Sequence, residues 1–177
     1  SVIGDPPPLE PFSLGMAILV GIFSGLLSSL YVYLVGAGPG WVKKTNIPPF
    51  FRPLIAATIL FAISPFFPQL IGPGMPAVNM ALAGEFTLYL LIALAFLKVL
   101  ATAFCRSFGF HGGILLPACF FGAMLGSAFD LIVGNGGHLY AILGAAACTG
   151  SAIGAPIAAV VILFEMSGDC LLYTSDA

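Results

Sequence analysis

Apolar residues run almost without interruption along this chain, and the few charged positions cut the run into lengths of about one membrane crossing. No Asp, Glu, Lys or Arg falls between Glu10 and Lys43, between Arg52 and Glu85, between Arg106 and Asp130, or between Asp130 and Glu165. Only Lys98 interrupts the stretch from Glu85 to Arg106. A bilayer core takes about 20 apolar residues per helical crossing. The pattern therefore predicts an all-α integral membrane protein, with spans at about 12–36, 51–71 and 85–105 and a short helix at about 76–83 on the return between the last two.

Beyond residue 107 the apolar segments shorten to about 115–133, 138–150 and 154–166, separated by Gly112-Gly113, by the run Gly134 to Gly137, and by Thr149 to Pro156. Such segments, joined by glycine, read as broken, re-entrant half-helices. Irregular backbone at membrane depth persists only where protein covers it or where it lines a cavity. In transporters these breaks mark the substrate site.

Composition agrees with this reading and narrows it. Of the 177 residues, 60% are hydrophobic and 7% charged, against roughly 25% charged in soluble domains. The net charge of -2 and the lack of a basic stripe give no sign of a nucleic-acid partner. Cys105, Cys119, Cys148 and Cys170 are scattered without CxxC spacing, which reads as buried thiols and not as a metal or redox site. No catalytic constellation and no cofactor motif is present, so an enzyme is not expected.

Lys43, Lys44 and Arg52, three of the five basic residues, share the loop 41–52, which the positive-inside rule assigns to the cytoplasm. Residues 1–11, with Pro6, Pro7, Pro8 and Pro11, then form an extended segment on the extracellular side. No signal peptide is visible, and a first residue of Ser suggests a chain that begins inside a longer protein. Gly21, Gly25 and the Ser28-Ser29 pair make a small-residue face suited to helix packing. Lys98 has two readings, a pathway residue or a side chain snorkelling to the cytoplasmic interface.

The break at residues 112–117 has a chemistry of its own. The first N–H groups of a helix lack intrahelical partners and carry the positive end of its dipole. A helix that starts inside a membrane is therefore an anion site without lysine or arginine. Gly112 and Gly113 would let the backbone turn and leave it uncovered, Gly113, Ile114, Leu115 and Leu116 would present the site, and Pro117 fits a first turn, where its missing donor costs nothing. On these residues alone, a packing kink serves equally well.

Residues 112–126, GGILLPACFFGAMLG, resemble the GGIFAPSLFIGAMLG-like signature of the CLC family of chloride channels and proton-coupled chloride exchangers. Residues 150–169, GSAIGAPIAAVVILFEMSGD, resemble a later family helix. FFRPLIAATILF (50–61) and LKVLATAF (97–104) resemble the two helices ahead of the signature, in the family's order.

The resemblance implies the second inverted half of a family subunit, with residues 12–169 as part of its transmembrane domain. It implies chloride as transported ligand, held by the N–H groups of Ile114 and Leu115, and a homodimer in the bilayer. Leu115 and Leu116 stand where the family has phenylalanine and alanine, and His111 where it often has proline. Glu165 reads either as a proton carrier or as a helix-terminating group. The resemblance puts Gly150, Gly154 and Ala158 at the subunit interface. The tail CLLYTSDA (170–177) departs from the family and reads as non-native. The alternatives are a helix-packing module and half of an unrelated broken-helix transporter.

Overall fold

The computed structural model describes residues 11–45, 47–65, 74–110, 112–134, 138–155, 157–158 and 161. The elements within them are all helical: α1 (Pro11–Lys43), α2 (Phe51–Ile63), α3 (Met75–Leu82), α4 (Leu88–Ser107), α5 (Leu115–Val133) and α6 (Leu139–Ile153). Three of them, α1, α4 and α5, are long and apolar enough to cross a membrane, which corrects the reading of 115–133 as a half-helix too short to do so. At 13 and 15 residues, α2 and α6 reach only about 20 Å, less than the roughly 30 Å of a hydrocarbon core.

Six of the predicted helices occur, with two ends moved, and the segment expected at 154–166 lies mostly outside the described residues. The first span was expected to stop near residue 36, yet α1 continues through Gly36, Gly38, Pro39 and Gly40 to Lys43. Its last turns lean on α4: a Cβ at Gly38 would run into Ser107. That close approach offsets the poor helix propensity of glycine, and the loop expected at 41–52 contracts to residues 44–50. The second span, which Pro65 and Pro68 are expected to bend or end, has its helix α2 close at Ile63, just ahead of Pro65, whose missing N–H cannot carry the ladder on; residues 66–73 lie outside the described residues.

Side-chain contacts along α1 fix the register of the bundle. α5 runs antiparallel to it, with Phe121 against Tyr31 (ring centroids 5.2 Å apart) and Phe129 against Phe23 (5.9 Å). α6 then returns parallel to α1. Near its start the Tyr140 hydroxyl donates to the Ser13 carbonyl at 3.4 Å, and further along the Ser28 hydroxyl donates to the Cys148 carbonyl at 3.1 Å. The buried face of α1 is thus Val20, Ser24, Leu27, Ser28 and Tyr31. Gly21 and Gly25, expected on the packing face, meet nothing within 4 Å in this chain.

The closest helix contact is α5 on α6. A Cβ at Gly122 would lie 2.5 Å from the Gly144 carbonyl oxygen, and one at Gly126 would collide with the Tyr140 carbonyl. Lipid gives no hydrophobic drive between helices, so such backbone approach is what holds them. Asp130, near the end of α5, accepts the N–H groups of Tyr140 (3.2 Å) and Ala141 (2.9 Å) in the first turn of α6. That contact answers two orphan donors and the helix dipole together.

An apolar groove of about 580 Å³ opens between α1, α2 and α4, lined by residues such as Leu34, Trp41, Ile59, Leu100 and Phe104. Its lining is mostly apolar, with Trp41, Ser64 and Ser107 carrying side-chain donors.

Candidate anion site

α4 ends beside Gly38 of α1, and the chain then reverses. Phe108 donates its N–H to the Phe104 carbonyl and Phe110 to the Cys105 carbonyl at 3.0 Å, around Gly109 at φ +100°. This is a Schellman-type stop, in which a left-handed glycine closes the helix. The left-handed position in this reversal belongs to Gly109, while Gly112 and Gly113, expected to let the backbone turn and leave it uncovered, have no positive φ. Both are exposed, and a Cβ on either would meet nothing within 4 Å, so within this chain they are not packing glycines.

α5 begins immediately afterwards. Ile114 is its N-cap residue, and the Ile114 carbonyl accepts the first ladder bond, from Ala118 at 3.3 Å. The N–H groups of Ile114, Leu115 and Leu116 precede that bond and have no place in the ladder. Pro117 has none to satisfy. No acidic residue occupies the first turn, so nothing on α5 neutralises the positive end of its dipole.

The position of this terminus along α1 follows from two contacts. The Tyr31 hydroxyl donates to the Ile114 carbonyl at 3.4 Å, and the Tyr31 ring packs on Phe121, about two turns into α5. Because α5 runs antiparallel to α1, its start lies on the Lys43 side of Tyr31, towards the level at which α4 ends beside Gly38. The returning loop is tied at a second point, where Arg106 Nη1 donates to the Gly112 carbonyl at 3.0 Å.

Of the other residues singled out by sequence, Lys98 is 4% exposed, and its Nζ lies 4.8 Å from the centroid of the Phe120 ring. Snorkelling to an interface is thereby corrected: the ammonium group stays within the bundle over an aromatic face, which attracts a cation. Phe120 follows Pro117 by one turn, so Lys98 stands close behind the first turn of α5. Gly150 is buried within this chain, while Gly154 and Ala158 are exposed. Cys105, Cys119 and Cys148 are thiols outside any disulfide. His111, Glu165, Cys170 and the segments 1–10 and 162–177 lie outside the described residues.

Sequence reasoning missed Tyr31 and Arg106 as partners of the break. The signal for Tyr31 was present, since Ser24, Ser28 and Tyr31 are spaced i, i+4, i+7 on one face of α1. Nothing comparable marked Arg106, because its target is a backbone carbonyl.

Comparison with known proteins places these features in context. The family model described as voltage gated chloride channel matches residues 2–175. The chain is 35% identical over 107 residues to the H(+)/Cl(-) exchange transporter ClcA of Cronobacter sakazakii, covering 56% of this chain and 23% of that protein. It is 26% identical over 180 residues to chloride channel protein CLC-e of Arabidopsis thaliana, covering 90% of this chain and 25% of that protein. An uncharacterized protein of Methanocaldococcus jannaschii is 28% identical over 151 residues, covering 85% of this chain and 38% of that protein. The chain thus spans between about a quarter and two-fifths of the length of these relatives.

Proposed function

Because the chain belongs to the voltage-gated chloride channel family, we propose that it forms part of a transmembrane pathway for chloride or a similar small anion. The N–H groups from Gly113 to Leu116 hold the anion, and Gly112 and Pro117 keep the approach open. One observation carries this reading: α5 begins behind two exposed glycines, with its first N–H groups outside the helical ladder and no acidic residue in its first turn. Partial charges at a helix terminus bind an anion weakly enough to release it, as conduction requires. Relatives are named both as chloride channels and as an H(+)/Cl(-) exchange transporter, and movement of chloride is common to those names.

Two further features belong to the proposal. Lys43, Lys44 and Arg52 mark the cytoplasmic end of the bundle. The approach of Ser107 to Gly38 brings Arg106 towards that same end. Two copies of the protein pair through Gly154 and Ala158, which are exposed, and not through Gly150, which is covered.

The test is flux. Reconstituted in liposomes under a chloride gradient, the full-length gene product should pass chloride, and Gly113→Leu should abolish the flux while its thermal unfolding stays unchanged. Undiminished flux in a folded Gly113→Leu protein would refute the site.

A further inference from the structure

The two side chains tied to the break share a geometric logic. In a planar trans peptide the carbonyl and the following N–H point in opposite directions, so fixing one aims the other. Arg106 holds the Gly112 carbonyl at 3.0 Å, which directs the Gly113 N–H away from Arg106. The Ile114 carbonyl accepts both the Ala118 N–H of the α5 ladder at 3.3 Å and the Tyr31 hydroxyl at 3.4 Å, and the two together direct the Leu115 N–H to the opposite side.

We infer that Tyr31 and Arg106 are positioning residues for the anion, each orienting one peptide group whose N–H faces the pathway. This inference rests on the anion site proposed above. It adds a means of holding peptides that have no side-chain packing at Gly112 and Gly113: they are tied by their carbonyls, from behind.

The two tethers differ in strength and in kind. The Arg106 contact has ordinary length and a charged donor, and such bonds are about twice as strong as neutral ones. At 3.4 Å the Tyr31 contact is long for O–H···O. Tyr31 is however 1% exposed and its ring is fixed against Phe121, so its hydroxyl has little freedom to leave. Arg106 also carries a positive charge that attracts anions wherever its donors point, and the experiment has to separate the two effects.

The measurement is the chloride dependence of flux through the full-length gene product in liposomes, read as half-saturating chloride and maximal rate separately, together with thermal unfolding. Tyr31→Phe keeps the ring and removes only the hydroxyl. It should raise half-saturating chloride by about threefold, the worth of one weak hydrogen bond, without changing the unfolding temperature. Arg106→Leu should raise it by about tenfold or more. Arg106→Gln, which keeps an N–H donor and loses the charge, should recover a large part of that loss.

Arg106→Gln behaving like Arg106→Leu would reduce Arg106 to a simple attracting charge and overturn its positioning role. Unchanged half-saturation in Tyr31→Phe would overturn the role of Tyr31, and that arm stands even if Arg106→Leu does not fold. If Gly113→Leu abolishes flux while Tyr31→Phe and Arg106→Leu leave the chloride dependence untouched, the positioning inference alone fails. If Gly113→Leu leaves flux intact, the site itself fails.

Discussion

Glycine does opposite things at the two ends of the sequence that opens α5 and packs it on α6. At Gly122, Gly126 and Gly144 the missing side chain lets two backbones meet, and a Cβ at Gly122 would come within 2.5 Å of a carbonyl oxygen. At Gly112 and Gly113 the missing side chain leaves the backbone bare. One set closes a seam and the other keeps a surface open. Counting glycines in the stretch 112–126 cannot tell them apart; only the neighbours do.

The same substitution should therefore have opposite results in the two places. Gly126→Ala pushes a methyl into the Tyr140 carbonyl, an obstacle that cannot rotate away. It should cost at least about 3 kcal/mol, the upper part of the usual overpacking range, seen as loss of monodisperse full-length protein on size exclusion after a heat step. A variant as heat-resistant as the parent would mean the seam is looser than it is drawn here.

Asp130→Ala comes next. It leaves the Tyr140 and Ala141 N–H groups without their carboxylate partner, for a loss of about 2 kcal/mol. Asp130→Asn should restore part of it, and equal melting of the two variants would count against the cap. Ser28→Ala removes the bond to the Cys148 carbonyl at 3.1 Å, worth about 0.6 kcal/mol in membrane bundles. At the open end, Gly113→Ala should change thermal stability least. An alanine tolerated without strain stabilises by about 0.5 kcal/mol through the unfolded chain, and a large drop instead would erase the contrast between seam and surface.

How far the sequence reaches can be judged on the same two regions. The limits of α5 were legible, since the glycine pair, Pro117 and the Gly134 stop bracket an apolar run whose one charge, Asp130, falls in its last turn. Legible too was the uncovered N-terminus. Hidden were the features that depend on which helix lies beside which. Of the small-residue face read at Gly21, Gly25, Ser28 and Ser29, Ser28 faces the core, with Ser24 one turn before it, whereas a Cβ at Gly21 or Gly25 would meet nothing in this chain. Lys98 looked like an interfacial lysine because only its distance from the helix end was visible, whereas the ring of Phe120 that receives it comes from α5. The glycine pair was expected to let the backbone turn, and the left-handed position that closes the preceding helix is at Gly109. In each case a local pattern was correct about the residue type and could not specify its partner.

The length of α1 carries a mechanical consequence. From Phe12 to Trp41 the helix is apolar over about 45 Å, against roughly 30 Å of hydrocarbon. A helix longer than the hydrocarbon core is accommodated by tilt, by a kink or by a thicker bilayer, and packing against its neighbours sets the angle. α1 meets three of them in turn, Tyr140 of α6 at Ser13, Phe121 of α5 at Tyr31 and Ser107 of α4 at Gly38. α1 is thus a brace that ties three helices along its whole length.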